Sequence, residues 1–302
     1  MSVILGLWPI AGITTLNVTE REAEQTLHAA IDAGITQFDT AFSYGYDGES
    51  DRLLGRVLTA RSLDAKVIGK VGQRWQGTTR VVDGQPTTLI VDAECSLSRL
   101  RKSTFDCLML HSPDPEVPIE RSAEALAKLQ QRGLCETIGV CNVDAEQLTR
   151  FAGVVRCEMI QCPLNLIQRD ALDELIPVAK KLGAGSMTFW ALMKGLLAGK
   201  LKPESEMDPA DPRQRYEIFR GQYRQRADRV VDNLRELGQS TNQTVAQLAI
   251  GWTLAQPGVS GVLAGARRPG QVTEWAGCRA IDAALIEKID RIVSNAFEGF
   301  DY

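Results

Sequence analysis

Short apolar runs alternate with amphipathic stretches along nearly the whole chain. Residues 3–7, 35–40, 66–70, 105–110, 137–141, 159–162, 186–190 and 259–264 read as strands, too short for helices and bounded by glycine or polar residues. Between them the apolar positions fall at helical spacing. Ala23, Leu27, Ala30 and Ile31 share one face behind Thr19-Glu20-Arg21-Glu22, a Thr-x-x-Glu capping box, and Gly34 closes the segment. Further helices are predicted over 49–58, 89–100, 119–131, from Asp144, over 171–182 with a new turn or kink at Pro177, over 220–237 and 243–254, and from Gly270. Eight strands alternating with helices define an α/β chain. They fit one parallel (β/α)8 TIM barrel over residues 1–302, close to the roughly 250 residues typical of that architecture. The open doubly wound sheet is the rival, but no Gly-x-Gly-x-x-Gly follows any strand.

Two stretches interrupt the alternation. Residues 73–86 are polar, with Gly77, Gly84 and Pro86, and predict an inserted loop or small hairpin after strand three. Residues 200–216 are charged, with Pro203, Pro209 and Pro212, and predict a long loop after strand seven. Composition adds exclusions. A net charge of −4 with interspersed signs gives no basic footprint for nucleic acid. No apolar run has the length of a membrane span, and the N-terminus enters a strand directly without a signal pattern. Seven cysteines with no Cys-x-x-Cys pair point to free thiols in a reducing compartment, the cytoplasm. Two histidines, His28 and His111, argue against a zinc centre.

Polar residues stand where successive strands stop. In a parallel barrel those ends share one mouth, and catalytic side chains come from several of them. Strand two delivers Asp39 and then Tyr44, strand three Lys70, and strand four His111. Each has an ordinary reading: Asp39 as a turn or cap residue, Tyr44 as rim packing, Lys70 as a solvated lysine, His111 as a buried turn residue. Their equivalent positions favour one site. A free phenol titrates near pH 10, too high for efficient proton exchange at neutrality. A neighbouring ammonium is expected to lower it, and Asp39 to hold Lys70 charged.

The segments Phe38-Asp39-Thr40-Ala41…Tyr44-Gly45, Gly69-Lys70-Val71 and Leu108-Met109-Leu110-His111-Ser112-Pro113 resemble the catalytic tetrad of the aldo-keto reductases. Gly139-Val140-Cys141-Asn142, Gln161-Cys162-Pro163-Leu164-Asn165, Gly195-Leu196-Leu197-Ala198-Gly199-Lys200 and Ala264-Gly265-Ala266-Arg267…Gln271 resemble further motifs of that family in the same order. The resemblance implies reduction of an aldehyde or ketone by a nicotinamide cofactor. Tyr44 would be the general acid, Asp39 and Lys70 its support, and His111 the hydrogen-bond donor to the carbonyl.

It further implies that Asn142 and Gln161 hold the nicotinamide carboxamide and that Phe189, in place of the usual tyrosine, stacks on the ring. Leu196 and Gly199 would follow the pyrophosphate. The turn of Gly265 and Arg267 before a helix is a natural phosphate site. A guanidinium there favours NADP(H) over NAD(H). Gln271 and Glu274 fit the adenine-side pattern, whereas Trp275 stands where the family has asparagine. Trp8 and Trp75 are the expected substrate-binding residues for a small carbonyl compound. Two other classes compete: a Schiff-base aldolase with Lys70 as nucleophile, and a non-catalytic nucleotide-sensing subunit on the same fold.

Overall fold

Alternation within the strands decides the architecture. In β6 (Phe105–Leu110), Cys107 and Met109 face one way, while Leu108 and Leu110 face the other. Both sets are buried, which requires cover on both faces. The computed structural model, describing residues 2–12, 18–201 and 211–300, supplies that cover by closing the sheet. Besides β6, the barrel strands are β1 (Ser2–Gly6), β2 (Gln37–Asp39), β3 (Lys66–Val71), β7 (Cys135–Cys141), β8 (Met159–Pro163), β9 (Gly185–Phe189) and β10 (Val259–Gly265). All neighbours are parallel and the ring runs β1-β10-β9-β8-β7-β6-β3-β2 back to β1. The remaining pair, β4 (Gln73–Gln76) and β5 (Thr79–Val82), is the expected hairpin after the third barrel strand.

The interior holds Ile4, Ile68, Cys107, Met109, Met187 and Leu263, with Met159 and Phe189 packed against them. The opposite faces, such as Leu5, Phe38, Leu108, Val140 and Val262, join the larger core under the helices. Successive side chains alternate, so Lys70 shares the inward face of Ile68, and Gln161 that of Met159. The barrel therefore has an apolar floor and a polar top layer at the carboxyl ends of its strands.

The helices are α1 (Glu20–Asp32), α2 (Glu49–Ala60), α3 (Pro86–Leu100), α4 (Ile119–Gln131), α5 (Ala145–Ala152), α6 (Leu175–Lys181), α7 (Gly221–Thr241), α8 (Val245–Ala255), α9 (Pro269–Trp275) and α10 (Ala283–Phe297). Thr19 makes the expected capping box with Glu22, and Asp144 and Thr244 make two more. Strand two is shorter than its apolar run. Ile35 instead gives its N–H to Ala30 O at 2.9 Å, closing α1 beyond Gly34. The helix expected over 171–182 is broken into a 3-10 turn at Asp170–Leu172 and α6. Pro177 thereby falls in the first turn, where its missing N–H costs nothing. Of the long loop expected over 200–216, residues 202–210 lie outside the described residues, and the rest includes 3-10 turns at Pro212–Arg215 and Glu217–Phe219. No helix among the described residues is long and apolar enough to cross a membrane.

Gly139 is a point where closure leaves little room: a Cβ there would lie 2.5 Å from Met159 O and 2.8 Å from Met109 Cε. A backbone oxygen in a ladder cannot yield as a side chain can. Gly139→Ala is expected to cost about 1–3 kcal/mol in urea unfolding, the range for overpacking; an unchanged midpoint would contradict this packing.

Candidate active site

Closing the barrel sets β2 beside β3, with Asp39 opposite Ile68. This brings Asp39 and Lys70 together at 2.5 Å, with both side chains almost fully buried. Neither charge could be left there alone. Lys70 Nζ also donates to Thr40 O at 3.3 Å and to Tyr44 OH at 3.1 Å. Tyr44 reaches this point on a turn pinned by Phe42 N–H to Lys70 O (2.9 Å) and Tyr44 N–H to Ala41 O (2.9 Å). Gly45 follows at φ +103°, where a Cβ would strike Glu49.

His111 ends β6 with its ring centroid 5.8 Å from that of Tyr44. Burial, with the charges of Lys70 and Arg80, lowers its pKa well below the ordinary 6.5, so it is a neutral imidazole at pH 7. Its Nδ1 is buried without a hydrogen-bond partner among the described residues. The tetrad expected from the strand ends is therefore assembled at one mouth.

One expectation about it is reversed. Lys70 does pull the Tyr44 phenol down, but burial is the larger influence and pushes it up to about 12, with Asp39 adding to the rise. Tyr44 is a protonated phenol at neutral pH. Burial also opposes the Lys70 charge, yet Asp39 and Tyr44 outweigh it and the ammonium's pKa is raised.

The residues expected on the cofactor side are placed around this centre, several with partners of their own. Gln161 donates from Nε2 to Asp39 Oδ2 at 2.6 Å, satisfying the carboxylate oxygen that Lys70 does not. Asn142, at φ +57°, donates to His111 O (2.9 Å), Ser112 Oγ (3.3 Å) and Cys141 Sγ (3.1 Å). Burial pushes the Cys141 thiol up to about 12, so it is un-ionised. Phe189 is half-buried at the mouth, and Leu196 is buried behind Gly199, whose φ is +69°.

Arg267 stands just after Gly265 at the end of β10, close enough to Arg213 and Arg268 to feel their charge. Gln271 accepts the Arg267 N–H at 2.7 Å, and Glu274 forms an ion pair with Lys200. Trp275 is buried in the core. An aromatic face, two amides and an arginine are group types that could hold a nicotinamide cofactor.

Trp8 lies at the mouth, its ring 5.1 Å from Tyr44. Trp75 buttresses the Tyr44 turn: its Nε1 donates to Ser43 O at 2.9 Å and its ring packs on Tyr46. Residues that sequence reading passed over also converge here. Arg80 of β5 lies over the Trp8 ring at 5.1 Å, and Lys194 sits between the rings of Trp190 and Tyr216 at 3.9 and 4.1 Å. No spacing rule points to them. Their place depends on how two loops fold over the mouth.

The closed parallel barrel thus joins a carboxylate, a lysine and a phenol at its carboxyl mouth. The chain belongs to the aldo/keto reductase family, whose model matches residues 2–294, and is accordingly an oxidoreductase. It is 32% identical over 271 residues to aldo-keto reductase YhdN of Bacillus subtilis, covering 89% of this chain and 82% of that one. Aldo-keto reductase str7 of Strobilurus tenacellus is 29% identical over 268 residues, covering 87% of this chain and 78% of its own. Among solved structures, the glycerol dehydrogenase AKR11B4 of Gluconobacter oxydans superposes with a TM-score of 0.91 at 31% identity, covering 99% of this chain and 93% of that one. The holo aldo-keto reductase AKR11C1 of Bacillus halodurans shares the fold, with a TM-score of 0.80 at 21% identity over 96% of this chain and 91% of its own.

Behind the tetrad, Asp51 is fully buried and accepts from Thr40 Oγ1 (2.6 Å) and Ser96 Oγ (2.7 Å). Burial, only partly offset by those bonds, raises its pKa from 3.8 to about 6. A carboxyl raised in the folded state stabilises fully below its unfolded pKa, and that contribution is lost as pH rises through the folded one. Asp51→Asn should therefore gain stability relative to wild type, on the order of 2 kcal/mol, between pH 4 and pH 8. A stability difference independent of pH in urea titrations would contradict this.

Proposed function

We propose that the chain reduces a small aldehyde or ketone to an alcohol, with NADPH as hydride donor and Tyr44 as proton donor. The observation that carries this reading is Lys70 Nζ contacting both Asp39 (2.5 Å) and the Tyr44 hydroxyl (3.1 Å). When bound, the dinucleotide supplies a hydride to the carbonyl carbon. Tyr44 gives its phenolic proton to the carbonyl oxygen, and the phenolate left behind is stabilised by the Lys70 ammonium. His111, uncharged, hydrogen-bonds the same oxygen and aligns it. Asp39 touches no reacting atom and keeps Lys70 charged and in place. Asn142 and Gln161 present amides to the nicotinamide, and Phe189 offers its face to the ring.

Because Tyr44 titrates at about 12, it is poised as an acid at neutral pH. Alcohol oxidation, which needs the phenolate, accelerates as pH rises toward that value. The similarity to the Gluconobacter glycerol dehydrogenase supports small hydroxylated substrates. NADPH is favoured over NADH by the Arg213, Arg267 and Arg268 group. The Schiff-base alternative needs a neutral lysine, whereas Asp39 and Tyr44 hold Lys70 as ammonium. A nucleotide-sensing subunit would bind NADPH without turnover on any carbonyl.

Tyr44→Phe should lower kcat for NADPH-dependent glyceraldehyde reduction by about 10²- to 10⁴-fold with NADPH binding retained; a rate within a fewfold of wild type would refute the assignment. Arg267→Ala should raise the NADPH Kd by about tenfold in fluorescence quenching, the size of one lost charge-assisted contact, with little effect on NADH. An equal change for both nucleotides would remove the basis for the NADPH preference.

A further inference from the structure

In the ring of strands, β3 and β9 stand four places apart, on opposite sides of the barrel. The loops leaving them nevertheless bring cations to one place above Tyr44. The hairpin after β3 is fixed at its base. Gln73 Nε2 donates to Ser112 Oγ at 2.6 Å, Gly72 N–H to Asp92 Oδ2 at 3.1 Å and Arg74 Nε to Asp92 Oδ1 at 2.8 Å. Arg80 is the cross-strand partner of Trp75, and its guanidinium lies over Trp8, itself in contact with Tyr44. From the other side, Trp190, Met193 and Lys194 all have left-handed backbone, with φ of +65°, +45° and +53°. That conformation seats the Lys194 ammonium between Trp190 and Tyr216. Arg215 donates to Tyr216 OH at 3.1 Å.

None of Arg80, Lys194 and Arg215 has a carboxylate partner among the described residues. Aromatic faces and one phenol hold them instead. Tyr44, Tyr216 and Arg215 lie within electrostatic reach of Arg80, and Tyr216, Arg215 and Arg80 within reach of Lys194. Burial acts most strongly on Lys194 and lowers its pKa, the direction expected of a cation stripped of water without a counter-ion. Burial opposes ionisation of Tyr216, but Arg215 and Lys194 prevail and its pKa is lowered. Three cations aimed at one space beside a reacting centre repel one another unless an anion joins them.

We propose that Arg80, Lys194 and Arg215 form a phosphate-binding subsite at the mouth above Tyr44, and that the substrate is a carbonyl compound bearing a phosphate monoester. The identity of the ligand's reacting end rests on the carbonyl-reductase reading; the anion site itself does not. A dinucleotide's pyrophosphate could use the same chemistry. Arg80 argues for the substrate, because it lies over Trp8 on the hairpin after β3, across the barrel from Phe189 and the β9 loop.

Calorimetric titration of the full chain with glycerol 3-phosphate and with glycerol separates these possibilities without requiring turnover. Wild type should bind glycerol 3-phosphate at least about tenfold more tightly than glycerol, and Arg80→Ala should remove most of that difference. Arg215→Ala, on an exposed turn, should act in the same direction, while the NADPH Kd of Arg80→Ala stays within about twofold of wild type. Equal binding of the two ligands, or a preference for glycerol 3-phosphate that survives both substitutions, would overturn the proposal. So would a parallel loss of NADPH affinity, which would assign the cations to the dinucleotide. Phosphate-dependent binding with no reduction of glyceraldehyde 3-phosphate or glyceraldehyde would leave the subsite standing and defeat the reductase reading.

Discussion

The Asp39–Lys70 ion pair is the constraint around which the mouth of this barrel is arranged. Both charges are almost wholly withdrawn from water, and burying such a pair costs several kcal/mol per ion before their attraction is counted. That cost is met only if the remaining valences are also filled. Gln161 takes the second oxygen of Asp39, while Thr40 O and Tyr44 OH take further protons of Lys70. The pair thus ties β2, β3 and β8 together, and it fixes the phenol with one direct contact. The position of the Tyr44 hydroxyl here follows from satisfying a buried charge.

The same burial that makes the pair obligatory works against ionisation of Tyr44. Lys70 favours phenolate, but desolvation of Tyr44 is stronger and Asp39 adds to it. Lys70 limits a rise; it does not produce a fall. The phenol therefore keeps its proton at neutral pH. His111 is neutral for the same reason that Tyr44 is protonated: burial opposes its charge.

Much of this was legible in the residues. Short apolar runs identified the strands, and the capping box at Thr19 marked where the first helix begins. A parallel barrel sends every strand end to one mouth, so Asp39, Tyr44, Lys70 and His111 could be grouped without coordinates. What stayed hidden depends on contacts between distant loops. Nothing adjacent to Gln161 reveals that it serves Asp39, 122 positions away. The burial of Trp275 follows from how α9 packs. Arg80 reaches the site only because a hairpin of fixed register leans over Trp8, and Lys194 only because Trp190, Met193 and Lys194 itself adopt left-handed backbone. The balance at Tyr44 was misjudged because charge is visible in a sequence and desolvation is not.

If Lys70 acts on the reaction through Tyr44, the two residues form one functional unit and their losses cannot add. A double-mutant cycle on kcat/KM for NADPH-dependent glyceraldehyde reduction, with Tyr44→Phe, Lys70→Met and the double variant, tests this directly. Each single substitution should lower kcat/KM by about 100-fold or more, and the double variant should fall within a fewfold of Tyr44→Phe alone. Losses that multiply would contradict the account, because Lys70 would then contribute to the transition state independently of the phenol it contacts.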